Sequence, residues 1–131
     1  TRTFFYKKVP SEKHRAIYET VRRANAAAEA ILKPGVPLCE VDKAARQIIE
    51  DAGYGPNFTH RLGHFIGLEV HEYGDVSSAN TKVAEVGNIF SIEPGIYVEG
   101  EVGVRIEDLV LITEDGCEIL NSFSKELDIV E

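Results

Sequence analysis

Beyond its first ten residues the hydrophobic period of this chain changes once, at Gly53, and that change restricts the fold more than any other feature. Before it, apolar residues recur at Ile17, Val21, Ala24, Ala28, Ile31 and Leu32, then at Val41, Ala44, Ala45, Ile48 and Ile49. Steps of three and four put each set on one helical face. Ser11 is placed to cap the first helix and Pro34-Gly35 to stop it. The second helix starts near Glu40 and ends at Gly53, a residue suited to a left-handed C-terminal cap. After Gly53 the apolar runs shorten and are broken by Gly, Pro, Asn and Asp: Phe65 to Val70, Val86 to Glu93, Ile96 to Val98, Val102 to Thr113, and Cys117 to Leu120. These read as strands, the last two joined by a tight hairpin at Glu114-Asp115-Gly116. With an opening strand over Thr1-Arg2-Thr3-Phe4-Phe5-Tyr6, the order is strand, helix, helix, then several antiparallel strands. That is an α+β layout, and 131 residues suffice for one domain, not two.

Charge narrows the partners. Fourteen Lys and Arg stand against 22 Asp and Glu, a formal net charge of -8, so a phosphate backbone is repelled on average and nucleic acid is not expected as a partner. No apolar stretch approaches the roughly 20 residues that span a bilayer, and no basic segment followed by an apolar one opens the chain, so the expectation is no membrane and a cytoplasmic location. Cys39 and Cys117 lie far apart and form no Cys-x-x-Cys pair, which suits reduced thiols. The chain contains no methionine. A fragment of a longer polypeptide is therefore expected.

The chemistry-bearing residues gather in the second part. His60, His64 and His71 fall within twelve residues around Gly63, Gly67 and Gly74. Any one of them alone reads as an ordinary hydrogen-bonding histidine; clustered among glycines that let backbone approach closely, they point to a site as readily as to structure. Glu93 ends an apolar strand at a Pro-Gly turn, which holds its carboxylate at the rim of a sheet. Glu107 shares a strand face with Arg105, opposite Val104 and Ile106, an arrangement that is commonly a solvated ion pair. Imidazole with carboxylates suits Mn, Co, Zn or Fe(II), and bridging carboxylates can hold two ions roughly 3.5 to 4 Å apart. Separation along the chain alone does not fix such a set.

Three strings, His60-Arg61-Leu62-Gly63-His64-Phe65-Ile66-Gly67-Leu68-Glu69-Val70-His71-Glu72, Ile92-Glu93-Pro94-Gly95-Ile96-Tyr97 and Gly103-Val104-Arg105-Ile106-Glu107-Asp108, together with the opening Thr-Arg-Thr-Phe, resemble the pita-bread metallopeptidases of the Xaa-Pro aminopeptidase and dipeptidase (prolidase) type. The resemblance implies the C-terminal half of a pita-bread fold, two helices packed on a curved antiparallel sheet, over residues 1–131. It implies metal ligands at His64, Glu93 and Glu107, with Glu107 bridging two divalent ions and Glu93 also handling protons. His60 and His71 match histidines that line the substrate site, and Arg105 matches an arginine that steadies a ligating carboxylate. Metal-assisted hydrolysis of the Xaa-Pro bond in a proline-containing peptide is the implied reaction. The family's other two ligands are aspartates upstream of the Thr-Arg-Thr-Phe string, so the two-metal site is expected to be incomplete in this chain, and the chain alone inactive. Phe65, where a glycine is common, and Tyr73-Gly74, where prolines are common, depart from the pattern. A non-catalytic pita-bread peptide- or protein-binding module and a methionine aminopeptidase are the alternatives; retention of His64, Glu93 and Glu107 together favours the enzyme. An uncovered sheet edge and apolar face imply a homo-oligomer or association with the missing N-terminal half.

Overall fold

The computed structural model describes all residues, Thr1–Glu131. Helix α1 runs Glu12–Ala30 and α2 Leu38–Asp51. Ser11 caps α1 as expected, its hydroxyl accepting from the His14 amide. The helix stops at Ala30, short of Pro34-Gly35, because the chain turns at Ile31 and crosses to pair Pro37 with Val83. The second helix starts at Leu38 rather than near Glu40, since Pro37 already holds the extended conformation of an N-cap. Gly53 follows the last turn with φ +88°, the conformation a C-terminal glycine supplies without strain.

Nine short strands follow the expected texture with three corrections. They are β1 (Phe4–Tyr6), β2 (Gly63–Phe65), β3 (Glu72–Val76), β4 (Ile89–Ile92), β5 (Gly95–Val98), β6 (Val102–Arg105), β7 (Asp108–Ile112), β8 (Cys117–Ile119) and β9 (Asp128–Val130). The first correction is that Phe65 to Val70 is not a strand. Only Phe65 stays in the sheet, and the chain then closes a tight loop in which the Gly67 amide donates to the Glu69 carbonyl and the Glu69 amide to the Glu72 carboxylate. Leu68 and Val70 are left in solvent. Second, Val102 to Thr113 is two strands, because the Ile106 amide turns to the Pro94 carbonyl and the Glu107 amide to the Thr1 carbonyl, breaking the ladder between β6 and β7. Third, the sheets are not all antiparallel, since β9, which carries no alternating apolar signal long enough to read, lies parallel to β1.

The main sheet has the order β3-β2-β4-β7-β8, every neighbour antiparallel, with β5 and β6 forming a separate hairpin. The expected turn at Glu114-Asp115-Gly116 joins β7 to β8, closed by the Thr113 amide on the Gly116 carbonyl. The two helices pack on each other, α1 against β4, β5 and β6 and α2 against β3. Ile17, Val21, Ala24 and Ala28 of α1 and Val41, Ala45 and Ile49 of α2 meet Phe90, Ile92, Ile96, Val104, Ile106 and Val110 in one core. The apolar stripes read from the sequence are thus the core faces. No helix is long and apolar enough to cross a membrane. Cys39 and Cys117 are unpaired and half-buried.

Candidate metal centre

Strand β2 lies against β4 more closely than a side chain would allow. A Cβ on Gly63 would overlap the Ser91 carbonyl oxygen, so only glycine permits this approach. The consequence is that His64 enters the sheet beside Ser91, whose hydroxyl accepts from the His64 amide at 3.0 Å and donates to Glu93 Oε1 at 3.1 Å. Ser91 and Glu93 are alternate residues, on one face of the extended chain. Glu107 arrives from the β6–β7 break, its amide held by Thr1 and its carboxylate accepting from the Thr1 hydroxyl. One donor atom from each of His64, Glu93 and Glu107 then falls within 4.8 Å of the others.

The donor set fits a divalent ion on its own chemistry. The His64 Nδ1 lies 3.0 Å from the Phe65 carbonyl oxygen, which can only accept, so Nδ1 carries the proton and Nε2 keeps its lone pair. That lone pair faces Glu93 Oε1 at 3.3 Å. Two acceptors aimed at one another call for a cation between them, either a proton or a metal ion. Two donors each about 2.1 Å from one ion in a tetrahedral site stand about 3.4 Å apart, so the spacing is that of a metal edge. His64 is buried and the two carboxylates half-buried, which limits competition from water.

The other expected residues divide into two groups. His71 joins the cluster, its ring 4.2 Å from that of His64, and is solvent-exposed. Arg105 faces Glu93 Oε2 from 4.0 Å, with its Nε buried and unpartnered. His60 stands apart from the three donors. Its Nδ1 donates to the Arg61 carbonyl, and its Nε2 accepts from the Tyr97 hydroxyl at 2.8 Å. Tyr97 also borders Arg105; burial pushes its phenol above the ordinary value and the guanidinium offsets part of that rise. Tyr97 therefore links His60 to the Arg105–Glu93 side of the site.

Sequence reasoning missed four contributors. Ser91 and Tyr97 were legible in principle, as the strand-alternation partners of Glu93 and Gly95. Asp42 and Arg46, one helical turn apart on α2, gave the ordinary signal of a surface i,i+4 pair. Instead Asp42 is fully buried, accepts twice from Arg46 at 2.8 and 3.1 Å and takes the Leu62 amide at 3.1 Å. Arg46 donates onward to the Phe58 and His60 carbonyls and covers the Phe58 ring at 4.0 Å. This pair fixes the segment that leads into His64.

The family model for metallopeptidase family M24 matches residues 1–114. An uncharacterized peptidase from Staphylococcus haemolyticus is 54% identical over 116 residues, which cover 88% of this chain and 33% of that protein. Among solved structures, the prolidase from Pyrococcus horikoshii is 46% identical with a TM-score of 0.88, over 91% of this chain and 34% of that one. The Xaa-Pro dipeptidase from Bacillus anthracis reaches a TM-score of 0.95 at 39% identity, over 98% of this chain and 36% of that one. The chain spans about a third of the length of the relatives it matches.

Proposed function

The chain belongs to metallopeptidase family M24, with the fold of the C-terminal half of the pita-bread domain, and from that premise we propose that it supplies His64, Glu93 and Glu107 to a two-metal peptidase that cleaves the Xaa-Pro bond. The substrate is a dipeptide or the N-terminus of a longer peptide. On this reading residues 1–131 are part of a catalytic domain whose upstream half adds the remaining carboxylates. The observation that carries it is the His64 lone pair held toward two carboxylates by the Phe65 carbonyl.

Divalent ions bound there would polarise the scissile carbonyl and acidify water. The work of the chain is to hold those ions and move one proton. Glu93 is the proton carrier, since its Oε1 is steadied by Ser91 and its Oε2 is faced by Arg105, so the carboxylate keeps one orientation while its charge changes. Exposed His71, braced on His64, reaches the peptide from the solvent side. His60 engages substrate by exchanging its Tyr97 partner for it.

The test is turnover by the whole protein in Mn2+ or Co2+. Xaa-Pro dipeptides and Xaa-Pro-led tripeptides are expected to be cleaved and a Met-Ala-led peptide left intact. Glu93→Gln should lower kcat by about 10²-fold or more. The 131-residue chain alone should be inactive. Preference for the Met-Ala peptide, or no Xaa-Pro cleavage by a metal-loaded whole protein, would overturn the reading.

A further inference from the structure

The two carboxylate donors stand at the ends of different strands, Glu93 just after β4 and Glu107 just before β7, yet a single ammonium group is joined through side-chain partners to the backbone beside both. Lys125 Nζ donates to Asp108 Oδ2 at 3.0 Å, to Asn25 Oδ1 at 2.8 Å and to Glu29 Oε2 at 2.9 Å, which uses all three of its protons. Asp108 follows Glu107 directly and is fully buried. Its other oxygen accepts from Arg2 at 2.7 Å and from Asn121 at 2.5 Å, and Arg2 also donates to the Glu107 carbonyl at 2.7 Å. Asn25, equally buried, donates from its amide nitrogen to the carbonyl of Ile92, the residue before Glu93, at 3.2 Å. Lys125 thus stands one residue from Glu107 by one path and one residue from Glu93 by the other.

We propose that Lys125 is a positioning residue for the metal centre, setting the backbone at Glu107 through Asp108 and at Glu93 through Asn25. It touches neither donor carboxylate and acts only through these two partners. Lys125 lies beyond residue 114, where the family match ends, on a segment that Arg2 fastens by donating to the Phe123 and Ser124 carbonyls. The C-terminal segment is therefore part of what shapes the site. This inference rests on the metal-centre reading only for its consequence in metal binding, since its geometric content concerns the chain alone.

The experiment uses the whole protein and has two readouts. Amide hydrogen exchange at Glu93 and Glu107, measured by NMR without metal, reports their backbone directly; their amides donate to the Leu62 and Thr1 carbonyls. Co2+ titration followed by visible absorption reports the donors. In Lys125→Met, exchange at both amides should quicken at least tenfold while amides of α2 keep their rates, and Co2+ affinity should fall about tenfold, the lower range for lost outer partners of ligands. Asn25→Leu cuts one branch only, so it should free Glu93 and leave Glu107 protected. It carries the test if Lys125→Met does not fold. Unchanged exchange at both amides in a folded Lys125→Met, or equal loss at Glu93 and Glu107 in Asn25→Leu, overturns the proposal. Co2+ binding that is absent, or indifferent to His64→Ala, counts against the metal centre and leaves the exchange result to decide on Lys125.

Discussion

At Glu29, burial and the neighbouring Asp108 carboxylate raise the pKa from 4.5 to about 7, while Lys125 opposes them. The folded chain then holds a proton that the unfolded chain releases, so the sign is that of a raised carboxyl. The stability contributed by the Glu29 proton is fully present below pH 4.5 and is lost as pH rises through about 7. Asp108, which burial pushes up but its hydrogen-bond donors together hold well below the usual carboxylate range, titrates outside this window. Glu29→Gln should remove a decline of roughly 2–3 kcal/mol between pH 4.5 and 8; urea midpoints with the same pH slope in both proteins would contradict this. A second residue-scale expectation concerns Arg46. Its removal leaves the fully buried Asp42 carboxylate without its ion partner, a change that costs about 3 kcal/mol or more. Arg46→Met should therefore lower the urea midpoint sharply, and Asp42→Asn with Arg46→Met should recover part of the loss. A midpoint within measurement error of the parent in Arg46→Met would show the pair to be incidental. Neither network was readable beforehand. Which charges end up buried depends on contacts distant in sequence, and Glu29, Asp42 and Lys125 look like any solvated helix or tail residues.

Among the elements, β2 is the one on which the site depends. Its close approach to β4 at Gly63 leaves no room for a methyl group, so Gly63→Ala must push the strands apart or shift their register. A cost of more than about 2 kcal/mol is expected, in the upper range for strain and overpacking, with His64 withdrawn from Glu93. Chemical denaturation measures the first effect. The NMR shift of the His64 imidazole measures the second, and a stable variant with an unmoved shift would sink the claim. Both helices were legible in the sequence because the 3.6-residue period is long enough to register over Glu12–Ala30 and Leu38–Asp51. Strands of three to five residues give almost no period, so Phe65 to Val70 read as a strand on apolar content alone. What decided it was a glycine and a carboxylate closing a loop. His64, Glu93 and Glu107 were legible as a set only through their strings, since nothing in separations of 29 and 14 residues (93 − 64 and 107 − 93) fixes a shared site.

Taken whole, the molecule leaves Phe4, Tyr6, Leu68, Val70, Tyr73 and Phe123 exposed, and Phe4 and Phe123 meet edge to face on its surface. Such apolar area favours association, while the formal net charge of -8 opposes it. Salt screens the repulsion within about 10 Å at 0.1 M and leaves the apolar term in place. Sedimentation should show self-association that strengthens from low to moderate salt; a monomer at high concentration in both conditions would remove this expectation. The parallel pairing of β1 with β9 carries a different consequence, for how the chain comes to be made. Within this segment Phe4 leaves the ribosome early, and its partner Asp128 leaves more than a hundred residues later. Strand β1 therefore waits without its ladder until synthesis has passed Val130. Contacts of such long separation are the slow ones in folding. Because Lys125 also arrives late, α1 and α2 can settle before Glu29 and Asp108 receive its ammonium group. A nascent chain halted before Lys125 would thus lack the ammonium group that joins Asn25 to Asp108, and with it the one side chain that ties the first helix to the residue after Glu107.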